Sequence, residues 1–194
     1  MRSTDGPDGT TVSPVDLQLV AQQLGRAPRG VVAVAHRCPC GAPDVVRTQP
    51  RLPDGTPFPT TYYATCPRLT GAISTLETQG LMRELQARLG ADAGLAAAYR
   101  RAHVRYLADR AELGQVPEID GVSAGGMPDR VKCLHVLVAH SLAVGPGVNP
   151  LGDEALGLLR QWWHPDGCAA NRPAPDAGPS LDEASAPDEG EARP

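Results

Sequence analysis

The chain has 194 residues, 41% of them hydrophobic but only 4% aromatic, so a core of single-domain size must rest on Leu, Val and Ala. The net charge of −4 is uneven: residues 165–194 hold seven acids and two arginines, and the remainder is close to neutral, which excludes the basic footprint of a nucleic-acid binder. The longest apolar run, 133–144, is broken by His135 and His140 and falls well short of the ~20 residues that span a bilayer.

In chain order, residues 1–12 are polar and Gly-rich and are expected to be disordered. Ser13 and Pro14 read as the N-cap and first residue of a helix with Val15, Leu19 and Val20 on its buried face, ended by Gly25. Residues 31–36, 44–49 and 61–65 read as three short strands, rich in Val, Thr and Tyr. CPCGAP (38–43) is a turn, and PRLPDGTPFPT (50–60) has too much Pro and Gly for regular structure. Helices are expected from Pro67, over 81–89, over 92–113, over 128–144 with Pro128 opening, and over 151–163. From Pro165 onward an acidic Pro/Ala-rich tail carries no apolar pattern. The expected fold is α+β, a small, mostly antiparallel three-stranded sheet (31–65) covered by four to six helices. The single domain covers 13–164, between a disordered N-terminus and a disordered tail.

No signal segment precedes the first helix, and five cysteines is an odd number, so the expectation is a cytoplasmic protein with reduced thiols or metal ligands. No membrane and no nucleic acid is expected as partner.

Four stretches together, HRCPCGAP, PRLPDGTPFPTTYYATCP, STLETQGLM and VKCLHVLVAHSLAVGPGVNPLG, resemble a bacterial family common in actinobacteria, the domain of unknown function 501, over about residues 15–163. The resemblance implies recurrent motif positions at Cys38, Cys66 and Cys133 and in the run Lys132-Cys133-Leu134-His135. It implies no activity, and Cys40 and Cys168 fit the pattern less well.

Cys38 follows the first strand and Cys66 the third; in a meander these two strands run the same way, which brings the two cysteines to one edge. Pro67 places Cys66 at a helix N-cap, where unpaired N–H groups favour a thiolate. If 128–144 is one helix, Cys133 and His135 point apart, His135 and His140 diverge, and Cys133 and His140 share a face but lie seven positions apart, so no two can chelate one ion and Cys133 joins a site completed elsewhere. C-x-C at Cys38 and Cys40 is not knuckle spacing, which argues against a zinc ribbon. Cys38, Cys66 and Cys133, with His135 as a further candidate ligand, could hold zinc or an iron–sulfur cluster, act as redox or nucleophilic thiols, or be core residues. A second constellation, His103, Tyr106 and Arg110 on one helical stripe with Lys132 and Arg51, would suit a small anionic ligand. The functional expectation is a Cys/His-centred site that binds a metal ion or cluster, with catalysis open. The alternatives are a non-enzymatic interaction module with structural cysteines, and a thiol or redox enzyme.

Overall fold

A computed structural model describes residues 10–163. Residues 1–9 and 164–194, and with them most of the expected disordered ends, lie outside the described residues. Regular structure starts earlier than the N-cap at Ser13: Thr10–Thr11 (β1) pairs antiparallel with Val31–Arg37 (β2). β2, Pro43–Thr48 (β3) and Tyr62–Ala64 (β4) form the expected antiparallel meander, and the sheet order is β1-β2-β3-β4. The two long strands therefore lie inside and the two shortest form the edges. HRCPCGAP serves the β2–β3 turn. The Gly41 N–H donates to the Cys38 carbonyl at 2.8 Å and the Cys38 N–H to the Ala42 carbonyl at 3.0 Å. Gly41 takes φ +86°, a conformation that costs glycine nothing.

Among the described residues six α-helices complete the fold: Pro14–Leu24 (α1), Pro67–Thr78 (α2), Leu81–Ala91 (α3), Ala93–Ala111 (α4), Leu134–Val144 (α5) and Pro150–Leu158 (α6). Ser13 caps α1 in a reciprocal box with Asp16, as its sequence suggests. The buried face of α1 keeps the expected Val20 but not Val15, which is 64% exposed, and it takes in Asp16 and Gln23 instead. Polar docking explains this. Asp16 receives both arms of the Arg37 guanidinium at 2.8 and 2.9 Å, and Gln23 Nε2 donates to the Pro43 carbonyl at 2.7 Å. Arg37 holds the Asp16 carboxyl well below the usual carboxylate range.

The main core lies on one side of the sheet, where Val45 and Tyr62 meet Leu69 and Ile73 of α2, Leu85 of α3 and Leu137 of α5. Asp109 of α4 is its polar anchor: the Tyr62 hydroxyl donates to it at 2.9 Å, Arg105 Nε at 2.7 Å, and Arg47 reaches its backbone carbonyl. His140 lies flat on Tyr62 at 5.7 Å between centroids and edge-on to Tyr106 at 5.1 Å.

Two predicted helices are shorter than expected. Pro128 opens no helix; α5 begins only at Leu134. The segment before it folds back on two glycines, with the Arg130 N–H bonded to the Gly126 carbonyl and the Lys132 N–H to the Gly125 carbonyl, both at 2.9 Å. The last helix stops at Leu158 because Leu159 is already extended (ψ 131°).

Burial pushes the His140 pKa down to about 4. An unfolded histidine protonates near 6.5, so the folded form binds fewer protons between these values and loses stability as pH falls from about 6.5 toward 4. Urea melts at pH 7.5 and 4.5 should show wild type losing about 2–3 kcal/mol more than His140→Gln over that interval; equal losses would remove His140 from acid sensitivity. Gly152 of α6 packs directly on α5, where an added methyl would strike the Leu137 carbonyl and the Ser141 hydroxyl. Gly152→Ala should lower stability by about 2 kcal/mol or more in the same assay.

Candidate metal centre

Two helix ends meet at the site. α2 presents Glu77 in its last turn, and α5 starts with Cys133 as N-cap and His135 in its first turn. Cys133 has an extended backbone (φ −158°, ψ 113°), so it has left the helical spiral. This overturns the expectation that Cys133 and His135 diverge: Cys133 Sγ lies 3.8 Å from His135 Nδ1. Glu77 Oε1 lies 3.3 Å from the same nitrogen and accepts the Leu134 N–H at 2.7 Å. One ligand atom from each of Glu77, Cys133 and His135 falls within 4.8 Å of the others.

The far side of the imidazole is fixed as well. His135 Nε2 lies 3.1 Å from the Thr70 carbonyl and 3.3 Å from Ser74 Oγ. A carbonyl only accepts, so Nε2 carries a proton, and Nδ1 is the atom turned toward the sulfur and the carboxylate. The bond to Cys133 raises the His135 pKa to about 9, helped by the charge of Glu77 and the Thr70 carbonyl and opposed by burial. For Cys133, burial is the largest influence and acts upward; the hydrogen bonds from His135 and the Val136 amide outweigh it, and the thiol sits below its ordinary value. Without a metal the imidazole is protonated near neutral pH, and its Nδ1 proton faces the Cys133 sulfur and the Glu77 carboxylate. A cleft of about 440 Å³, walled by Thr60, Tyr62–Ala64 and Thr70, reaches Cys133 and His135.

Residues 34–157, which contain all three clustered residues, match the model of a family described as proteins of unknown function, DUF501. The chain belongs to the DUF501 family. No curated protein and no solved structure matches it.

The other expected site residues of this DUF501 chain are placed as follows. Cys66 is the N-cap of α2 as read, but it is fully buried among Leu69 and Ile73 and makes no side-chain cap bond. Cys38 is buried in the β2–β3 turn. Neither is in the ligand cluster, and none of the four described cysteines forms a disulfide. The α4 stripe turns inward. The Tyr106 hydroxyl accepts the Thr61 N–H at 2.7 Å, His103 Nδ1 meets Ser123 Oγ at 3.0 Å, and Arg110 donates to the carbonyls of Ile119 and Val122. Arg51 is forked onto Glu118, and Lys132 is exposed. Tyr106, His103 and Arg110 thus tie Thr61 and the 119–123 segment to α4, and Arg51 joins the 50–60 loop to Glu118. No described helix is long and apolar enough to cross a membrane.

Glu77 was not read from the sequence, although STLETQGLM contains it. The available signal was an acid in the last turn of a helix, where the dipole disfavours negative charge and a partner elsewhere is needed. Cys133→Ala should bring the His135 pKa from about 9 back toward the ordinary value near 6.5, followed by imidazole NMR signals across pH. An unmoved titration would mean the sulfur does not hold the proton.

Proposed function

We propose that this DUF501 protein is a cytoplasmic metal-binding protein whose Glu77, Cys133 and His135 hold one zinc-type ion, with a fourth position facing the cleft. The observation that carries the reading is the convergence of one sulfur, one nitrogen and one oxygen donor within 4.8 Å, with the opposite ring nitrogen tied to the Thr70 carbonyl. That second bond is what metal-ligating histidines ordinarily have, because it fixes tautomer and ring plane. The mixed donor set suits zinc. It does not suit an iron–sulfur cluster, which several cysteines hold. Structural zinc sites close with four protein ligands, whereas three ligands beside a cleft match the catalytic type. A bound ion would supply Lewis acidity and a water of lowered pKa. The whole centre sits in a single domain over 13–164, and the acidic tail is dispensable for it.

A second reading, a nucleophilic thiol, is favoured by the Val136 amide and the imidazolium beside Cys133 at the start of α5. It uses the same sulfur, so metal occupancy and thiol reactivity exclude one another. The interaction-module reading is supported at Cys38 and Cys66, which are interior, but it gives no account of Cys133 at the cleft.

Cobalt(II) titration under reducing, anaerobic conditions should give one bound equivalent and a sulfur-to-cobalt charge-transfer band. Cys133→Ser should lose the band, and His135→Ala and Glu77→Gln should weaken binding by about 100-fold or more. Binding displaces the Nδ1 proton and requires the Cys133 thiolate, so affinity should climb at least about tenfold per pH unit up to about 9. A wild-type protein with no such band refutes the metal reading; rapid alkylation of Cys133, unaffected by zinc, would then favour the thiol.

A further inference from the structure

A second cavity lies on the sheet face away from the main core, and it shares none of the metal ligands. Side chains alternate across a strand, so Val45 and Tyr62 enter the core while their neighbours Val46 and Tyr63 face the other way. Val46, Tyr63 and Val31 of β2 floor the cavity.

Its wall is the PRLPDGTPFP segment, which the metal centre leaves without a role. This loop is bonded to itself. The Leu52 N–H donates to the Thr56 carbonyl at 2.9 Å, and the Gly55 N–H to the Leu52 carbonyl and the Phe58 N–H to the Pro50 carbonyl at 2.8 Å each. Arg51 bridges to Pro57 and also donates to the Gly55 carbonyl. The loop thereby holds Leu52 and Phe58, the chain's only phenylalanine, at the cavity. The Phe58 and Tyr63 rings sit 6.4 Å apart, tilted by 40°.

The mouth is basic. Arg29, from the turn after α1, pairs with Asp54 of the loop. Arg26 donates to its neighbouring carbonyl at Ala27 and makes no ion pair among the described residues. One guanidinium is thus matched and one is not. The cavity measures about 240 Å³, roughly eight times the volume a water molecule takes in the liquid. That space takes one aromatic ring and a short side arm.

We propose that this cavity binds a small aromatic monocarboxylate, with the ring against Val46, Phe58 and Tyr63 and the carboxylate on Arg26. Apolar walls with a single oriented charge are the usual make-up of a small-molecule site. The planar guanidinium fork matches a carboxylate. Because Asp54 occupies Arg29, the local charge favours a monoanion over a dianion.

Phenylacetate is the probe and phenylacetamide its uncharged match, each titrated into the full-length protein and followed by amide NMR shifts. Phenylacetate should give saturable shifts at residues 24–31, 46–48 and 52–63 with a dissociation constant on the order of 1 mM, as expected for a ligand of this size. Phenylacetamide should bind about tenfold more weakly, one charge-assisted contact being lost. Arg26→Gln, an exposed substitution, should erase the acid's advantage and leave the amide's binding unchanged; Phe58→Ala should weaken both. Three results overturn the proposal: no saturation, equal binding of acid and amide by wild type, or shifts centred on residues 70–77 and 133–136. Each can be read on wild type alone, and none depends on whether metal binds at Cys133.

Discussion

A single carboxylate oxygen joins the two halves of the candidate centre. Glu77 Oε1 takes the Leu134 N–H at 2.7 Å and faces His135 Nδ1 at 3.3 Å, so it fixes the end of α2 against the beginning of α5. The first N–H groups of a helix lack internal partners and lie at its positive end. Here the Glu77 carboxylate supplies the negative group that this end requires, and the Cys133 sulfur lies beside it at the N-cap. The same need that caps α5 gathers the donor atoms. α2 is itself positioned by β4, which runs into Cys66 and Pro67, so the site depends on the sheet edge although no strand supplies a ligand.

Much of the scaffold could be read directly. Val-, Thr- and Tyr-rich runs mark β2, β3 and β4, Ser13 and Pro14 mark a helix start, and Cys66–Pro67 marks another. These signals are local and survived because tertiary contacts agree with them. The failures share a different cause. α1 shows an apolar stripe at Val15 and Leu19, yet it turns Asp16 inward, because Arg37 of β2 supplies the matching charge twenty-one residues away. α5 is shorter than its sequence pattern predicts because Pro128 only resembles a helix opener; Gly125 and Gly126 instead accept the bonds that fold 125–132 into a turn. That one boundary decided the chemistry. Six residues of lost helix convert Cys133 and His135 from diverging neighbours into a pair. Glu77 lies fifty-eight positions from His135, and no local pattern connects them.

Scarcity of aromatics shapes the interior. With 4% aromatic residues, the chain uses His140 as a flat ring between Tyr62 and Tyr106, and it anchors that layer through Asp109. The polar stripe of α4 is spent in the same way. Tyr106 holds the backbone at Thr61, and Arg110 holds the carbonyls of Ile119 and Val122. The row of His, Tyr and Arg on this helix makes internal hydrogen bonds, as buried polar groups must be satisfied.

The arrangement of strands by length has a consequence for how copies of this chain meet. An open sheet edge is a template for pairing with another molecule, and long flat edges invite aggregation. Among the described residues the seven- and six-residue strands are interior, and the margins are β1, described over two residues, and β4 with three. β4 is further bracketed by Pro59 and Pro67, which have no N–H to offer an incoming strand. The β4 margin presents too few consecutive backbone groups to nucleate an intermolecular ladder, so that edge stays open in topology while resisting edge-to-edge growth.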